Sequence, residues 1–458
     1  MIENDAFKLL LINLFHLNPD DIANIFCTTF NKMMVLLVTL ADKHQACPYC
    51  GFTAPKIKEY VTKEITHSAL TTQKCIIKYR ARRYKCPCCG KTYYEFNPFV
   101  FKSQKISILT VHNILKDLKD FNETFTSVAR RYHVSPTSVS TIFDNHVDIG
   151  RNPLPEIINF DEVYAFKSEK SKYVCVLLDF KKQIPVDVLP NRKKEYLLNY
   201  FQKIPLEERK KVKYACSDMY EVYRDVVHKV FPSCCMLLDY FHLSQDFHRK
   251  MNEVRIKVMK GYKDNKASDE YYLLKKFNWL LFKNPEDEDK YGRLFDVERE
   301  RKYNSHFKSY MNYYDLRKKL LEINNDLTIC YSLKLELVDF YSKSTIDNAK
   351  VNLENLIRSC IDTNIDEMIA FSNNLINWKQ EIINSFTIVG TEYKVEADKG
   401  QVVVCNKKVN NAIIENRNKI IKCIKNNANG YTNWSRFRNR VMYVLDPNTT
   451  FSLEPREK

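Results

Sequence analysis

Three short apolar runs in this chain end in an aspartate: Ile157-Ile-Asn-Phe-Asp161, Tyr214-Ala-Cys-Ser-Asp218 and Met236-Leu-Leu-Asp239. An acid at the end of a buried strand is costly unless it is paired or needed. One such aspartate is an ordinary turn former. Three of them predict neighbouring strands whose acidic ends converge on one edge of a sheet. Further strands are expected at Tyr173–Asp179 and Ile184–Leu189, with helical segments between. A carboxylate cluster of this kind repels itself unless divalent cations are bound, and hard oxygen ligands select magnesium or manganese. Two such ions, roughly 3.5–4 Å apart, activate a water or a 3′-hydroxyl and stabilise the leaving oxygen in phosphoryl transfer. A further carboxylate is usual in such a site. Glu415, on a helix-patterned segment with Lys419 and Lys422 on roughly its own face, is the candidate.

Cys47-Pro-Tyr-Cys50-Gly51 and Cys86-Pro-Cys-Cys89-Gly90 form a second pattern, each expected to follow a strand. Each places two thiolates on one tight knuckle, and the glycine supplies the backbone freedom that the turn needs. Cys47, Cys50, Cys86 and Cys89 then complete a tetrahedral shell suited to structural zinc, with Cys75 and Cys88 as spare sulfurs. Arg82 and Arg83 beside the second knuckle suit phosphate contact.

Thr124–Phe143 carries Val128, Ala129 and Tyr132 at helical spacing, a turn at His133–Ser135, and Ser135-Pro136 as N-cap and first helical residue. Val139 and Ile142 mark the buried face of the next helix. This is the punctuation of a helix-turn-helix that offers Thr137, Ser138 and Ser140 to a major groove, with Arg130 and Arg131 alongside.

The chain has 458 residues, of which 45% are hydrophobic, enough for several domains. Only 8 Gly and 15 Pro exclude collagen-like and low-complexity architectures. The formal charge of +16 points to nucleic acid. Phe7–Phe15 and Met33–Leu40 are too short or interrupted to span a membrane, and no secretory signal is expected. The 15 cysteines are therefore read as reduced thiols and metal ligands of a cytoplasmic, nucleoid-associated protein. The expected organisation is two N-terminal helices (1–35), a small zinc-binding β domain (36–100), the helix-turn-helix (101–150), and an α/β core (151–262). A helical insertion (263–400), a segment returning the third acid to the core (401–446) and a frayed tail (447–458) follow.

The motifs CPYCG (47–51), RRYKCPCCGKTY (82–93), NFDEV (159–163), SDMYEVY (217–223), FPS (231–233), LDYFHL (238–243), WLLFKNP (279–285), IENRNKIIK (414–422) and NGYTNWSRFRNRV (429–441) stand in one order. In that order the chain resembles the ISL-three family of insertion-sequence transposases. The resemblance implies a multidomain α+β protein: zinc knuckles, a helix-turn-helix, and a mixed-sheet, RNase H-like core of the DDE type interrupted by a helical insertion. It carries the metal-binding triad onto Asp161, Asp218 and Glu415, the same residues reached from the strand pattern. Asp239 and His242 fall in a further family motif and Arg192 follows the third strand, all three as neighbours of the site. The implied activity is magnesium- or manganese-dependent cleavage and joining of double-stranded DNA at the terminal repeats of a bacterial element, by a homodimer or larger assembly. The alternative is a DNA-binding protein without catalysis, and a weaker third possibility is a structure-selective nuclease.

Overall fold

The computed structural model describes residues 2–43, 46–101, 104–166, 171–395 and 402–456. Helix α1 (Ile2–Leu14) and the turn after it lay Leu11, Ile12 and Phe15 on a five-stranded sheet. Its strands are β1 (Ile22–Phe30), β2 (Met33–Leu40), β3 (Lys56–Thr66), β4 (Cys75–Lys85) and β5 (Thr92–Tyr94), in the order β1-β2-β4-β3 with β5 paired to β4. The second of the two expected N-terminal helices is thus strand β1. Ile22 and Ile25 are both buried at a helix-like spacing because a register shift between Ile22 and Asn24 restores their common side. Asn31 and Lys32, at φ 48° and 61°, then close a two-residue hairpin onto β2.

Helices α2 (Ile108–Asp117), α3 (Phe125–Arg131) and α4 (Pro136–His146) follow. Thr124 and Ser127 form a reciprocal cap at the start of α3, and Ser135 caps α4.

The second five-stranded sheet is built from β6 (Ile157–Val163), β7 (Val174–Asp179), β8 (Pro185–Leu189), β9 (Tyr214–Ser217) and β10 (Cys235–Leu238), in the order β10-β9-β6-β7-β8. β7 is antiparallel to β6 and β8, whereas β6, β9 and β10 run parallel. Parallel neighbours need crossovers. Helix α5 (Lys194–Gln202), the single turn α6 (Leu206–Arg209) and α7 (Glu221–Val230) supply them, packing Phe201, Tyr223, Val226 and Val227 against Ile158 and Phe160. The five strands agree with the sequence expectation to within a residue or two at most ends.

After β10 the chain enters a mainly helical region with its own core: α8 (Tyr240–Lys260), α9 (Asp269–Lys276), α10 (Tyr313–Glu322), α11 (Asn325–Lys343), α12 (Ala349–Asp362), α13 (Asp366–Asn377) and α14 (Lys379–Asn384). It begins directly behind Asp239 rather than at 263, since α8 already buries Leu243, Phe247 and Met251 in that core. It is also not helical throughout. Between α9 and α10 lie two small hairpins, β11 (Glu288–Asp289) with β12 (Gly292–Arg293), and β13 (Lys302–Asn304) with β14 (Ser309–Met311).

The antiparallel pair β15 (Ile388–Val395) and β16 (Val402–Lys408) leads back to α15 (Ala412–Asn427) and α16 (Trp434–Leu445). Ile414, Ile421, Phe437 and Val441 join one core with Val174, Val176 and Val188 of the sheet and Val128, Val139 and Phe143 of α3 and α4. As far as Arg456, the tail is packed rather than frayed. Phe451 meets the His112 ring edge-on at 5.5 Å, and Arg456 Nη2 donates to the carbonyls of Asp144 and Val147 at 2.7 and 2.8 Å. No described helix is long and apolar enough to cross a membrane.

Candidate functional site

Asp161 sits inside β6 rather than at its end, opposite Val176 of β7, with two strand residues beyond it. Asp218 follows β9 directly, and Asp239 follows β10 and precedes α8. His242 lies in the first turn of α8 and Glu415 in the first turn of α15. Five elements, β6, β9, β10, α8 and α15, thus bring these side chains to a single edge of the sheet.

The docking of α15 decides where Glu415 goes. Buried Asn159 on β6 donates through Nδ2 to Asn411 Oδ1 at 2.7 Å and to the Asn410 carbonyl at 2.8 Å. The Asn411 backbone N–H donates to Asp239 Oδ1 at 3.3 Å, and Glu415 N–H donates to the Asn411 carbonyl at 2.9 Å. One turn further along α15, Asn418 Nδ2 donates to Asp161 Oδ2 at 2.7 Å. Asn159, Asn411 and Asn418 are site residues that the sequence reading missed. Asparagines are so frequent around 410–418 that nothing in the spacing separates these from surface neighbours.

Burial holds the Asp161 carboxyl up at about 7, with the charges of Asp218 and Glu162 adding to the effect and the Glu162 N–H and His242 opposing it. Asp218 is likewise pushed up to about 7 by burial, then by Glu162 and Asp239, against the pull of Arg192. Asp239 is raised by burial, and Glu415 adds to this while the Asn411 N–H and His242 oppose it. Asp218 Oδ1, Asp239 Oδ2 and His242 Nε2 are buried atoms without a hydrogen-bond partner. Crowded, desolvated oxygens with unused lone pairs fit a divalent cation, which would supply the missing charge. The most compact group here, however, is Asp239, His242 and Glu415, whose ligand atoms all lie within 4.8 Å of one another. Among the described residues, Asp161, Asp218 and Glu415 do not by themselves close into so tight a set.

Glu162 points to the opposite face of β6. It accepts from Arg192, and Tyr223 Oη donates to it at 3.2 Å. The Arg192 guanidinium also lies over the rings of Tyr173 and Tyr220, at 4.6 and 4.7 Å. So held, Arg192 offsets acidic charge near Asp218 instead of standing free at the surface.

At the other end of the chain, the four knuckle cysteines form a closed group. Cys47 and Cys89 Sγ are 3.7 Å apart, and Cys50 and Cys86 Sγ are 3.5 Å apart. Gly51 and Gly90, at φ 75° and 71°, donate their N–H groups to the carbonyls of Cys47 and Cys86. Backbone N–H groups of Cys88 and Cys89 reach the Cys86 sulfur, and that of Lys91 reaches Cys89. The set is compatible with structural zinc. Neither spare sulfur belongs to this group: Cys75 is buried in the apolar core of the sheet, and the Cys88 sulfur stands outside the set of four.

The expected DNA contacts divide. Arg82 is committed to Glu95, with Nη1 to Oε2 at 2.7 Å, and to the carbonyls of Leu40 and Ala41. Arg131 is claimed by Asp117 and Glu123. Ser140 is buried and donates to the Thr137 carbonyl at 3.0 Å. These three hold the fold together, because the helical period and the strand pairing turn them toward internal acceptors. Arg83 is half-buried and pairs with Glu59 at 2.7 Å. Ser138 Oγ meets Ser135 Oγ at 2.8 Å. Arg130 and Thr137 are exposed, and so is Thr141, one turn beyond Thr137 and absent from the expected set.

Comparison with known proteins adds to this geometry. The family model of the ISL-three DDE proteins, described as "Transposase", matches residues 158–397, more than half of the chain. The transposase for insertion sequence element IS1001 of Bordetella parapertussis is 19% identical over 408 residues, covering 89% of this chain and 90% of that protein.

Proposed function

The chain belongs to the ISL-three family of transposases, a family of DNA-transposing enzymes, and from that premise we propose that it cuts and rejoins DNA at the ends of its own element through Asp161, Asp218 and Glu415. The observation that carries this reading is the convergence of carboxylates from three strands at the first turn of α15, with Asp218 Oδ1 and Asp239 Oδ2 buried there without a hydrogen-bond partner. The mixed sheet, an antiparallel β6–β7–β8 meander with β9 and β10 parallel to β6 and helices on both faces, supports an RNase H-like core. The helix-turn-helix punctuation of α3 and α4, with Arg130, Thr137 and Thr141 exposed, supports recognition of the terminal repeats. The cysteine knuckles support a zinc-stabilised module on the same DNA-facing half of the chain.

Bound magnesium or manganese would activate the attacking water or 3′-hydroxyl and neutralise charge on the leaving oxygen. The chain's own residues prepare for this. Asn418 fixes the rotamer of Asp161, the Asn159–Asn411 pair seats α15 so that Glu415 stays at the sheet edge, and Arg192 limits the charge accumulated around Asp218. Two element ends must be joined, so a dimer or larger assembly on double-stranded DNA follows from the reaction.

Cleavage of a labelled fragment carrying the sequences that flank this gene tests the proposal. Metal-dependent cuts at the ends should be lost in Asp161→Asn, Asp218→Asn and Glu415→Gln while binding persists. Binding without cleavage in any metal would favour a DNA-binding protein without catalysis. Cutting without joining or end preference would favour a structure-selective nuclease.

A further inference from the structure

Asp239 and His242 lie outside the acid triad but inside the tightest ligand group at this edge of the sheet. Asp239 is 4% exposed, and its Oδ2 has no hydrogen-bond partner; the same holds for His242 Nε2. The Nε2 atom is 3.8 Å from Asp239 Oδ2 and 3.9 Å from Glu415 Oε1. These separations are too long for hydrogen bonds. Two ligand atoms that share an ion at about 2.1 Å, with an angle of about 90–130° between them, stand about 3.0–3.8 Å apart. The three side chains are therefore spaced much as ligands across a cation would be, and two backbone anchors keep them there. Asp239 Oδ1 accepts from Asn411 N–H, which leaves Oδ2 to face the gap, and the first turn of α8 carries His242 three residues on.

We propose that Asp239, His242 and Glu415 form a metal position of mixed nitrogen and oxygen ligation, in which His242 Nε2 binds the ion directly. Glu415 is the member shared with the acid triad, so the inference refines the reading of that site and assigns its second ion a ligand set different from the Asp161–Asp218 side. An imidazole ligand shifts preference away from magnesium, which favours an all-oxygen shell, toward first-row ions. Manganese retains the preference for carboxylates among these. The site should therefore bind manganese more tightly than magnesium, and the difference should depend on His242.

The test uses the full-length, zinc-loaded chain without DNA, with Mn²⁺ alone as probe. Pulsed electron paramagnetic resonance should show coupling of bound Mn²⁺ to an imidazole nitrogen, abolished in His242→Gln and retained in Asp161→Asn. Titration should show Mn²⁺ affinity falling about tenfold or more in His242→Gln, with Mg²⁺ affinity little changed. Circular dichroism of the variant checks that it is folded, and Asp239→Asn provides a second lesion in the same set. Bound Mn²⁺ without nitrogen coupling in the native chain, or coupling that survives His242→Gln, overturns the proposal. Nitrogen coupling in a chain that never cleaves DNA would leave this metal position standing and remove the transposase mechanism instead.

Discussion

The cysteine knuckles and the acid cluster are both built to hold cations, yet they are opposite kinds of construction. Cys47, Cys50, Cys86 and Cys89 close on one another, and the local turns at Gly51 and Gly90 hold them. The acid cluster draws on β6, β9, β10, α8 and α15, with Glu415 254 positions after Asp161, and Asp218 Oδ1, Asp239 Oδ2 and His242 Nε2 remain without partners. A closed set spends its ligands on stability and leaves the metal no open position. An open set keeps charge unbalanced, which costs stability until ions and substrate arrive.

Removing the zinc proposed for the knuckles should give the largest structural effect. Zinc binding in such knuckles contributes on the order of 10–16 kcal/mol in isolated peptides. Chelation, or Cys86→Ser, should expose the backbone of β4 and β5 to hydrogen exchange while β6, β9 and β10 remain protected. If both sheets open together, the two sites are not the separable constructions described above.

The acid cluster should respond in the other direction. Unfolded aspartates release their protons near pH 4, whereas Asp161 and Asp218 in the folded chain hold theirs to about 7. The folded state thus binds more protons between these values, so metal-free stability falls as pH rises from about 4 to 7 and levels off above. At about 1.4 kcal/mol for each pH unit and each group, the two groups together account for a loss of up to about 8 kcal/mol. Denaturant unfolding at several pH values checks this. At pH 8, added Mg²⁺ should restore stability, and Asp218→Asn should make the metal-free chain more stable while abolishing cleavage. A flat pH profile would mean that the carboxylates are already compensated within the chain.

The same contrast explains what was legible in the sequence. The knuckles are local, so spacing alone brought the four cysteines together and the structure gathers those four. The five strands of the second sheet were legible because buried strands leave continuous apolar runs. Asp161, Asp218 and Glu415 could be named, but not Asn159, Asn411 and Asn418, because a hydrogen bond across some 250 residues leaves no periodic trace. The hidden strand β1 failed for a different reason: a bulge gave Ile22 and Ile25 the spacing of a helix. The internal partners of Arg82, Arg131 and Ser140 were not legible, because composition shows that a cation or hydroxyl is present and not whether an acceptor is already waiting for it.

Asn411 offers a finer way to test how far the acid cluster depends on distant seating. Asn411→Ala removes the acceptor for Asn159 Nδ2 at 2.7 Å and leaves a buried amide with fewer partners, a cost of about 1–3 kcal/mol. Its backbone bonds to Asp239 and from Glu415 would persist, so α15 should still form. The expected result is a modest fall in melting temperature with cleavage reduced about 10- to 100-fold, because a small displacement of Glu415 is enough to misplace a reacting group. A fall in stability with unchanged cleavage would show that Asn411 only packs the helix.

The smallest effect separates two adjacent arginines. Arg131 is held by Asp117 and Glu123, whereas Arg130, also in the last turn of α3, is exposed. Arg130→Ala should weaken DNA binding severalfold and reduce the salt dependence of binding by about one phosphate contact, at little cost in stability. Arg131→Ala should do the reverse, since it leaves two partly buried carboxylates without their cation, with a loss of about 1 kcal/mol in denaturant unfolding. Equal salt slopes for the two variants would mean that the Asp117–Arg131–Glu123 bridge opens on DNA, and the division between fold-holding and DNA-facing cations would then have to be drawn by the complex rather than by the free chain.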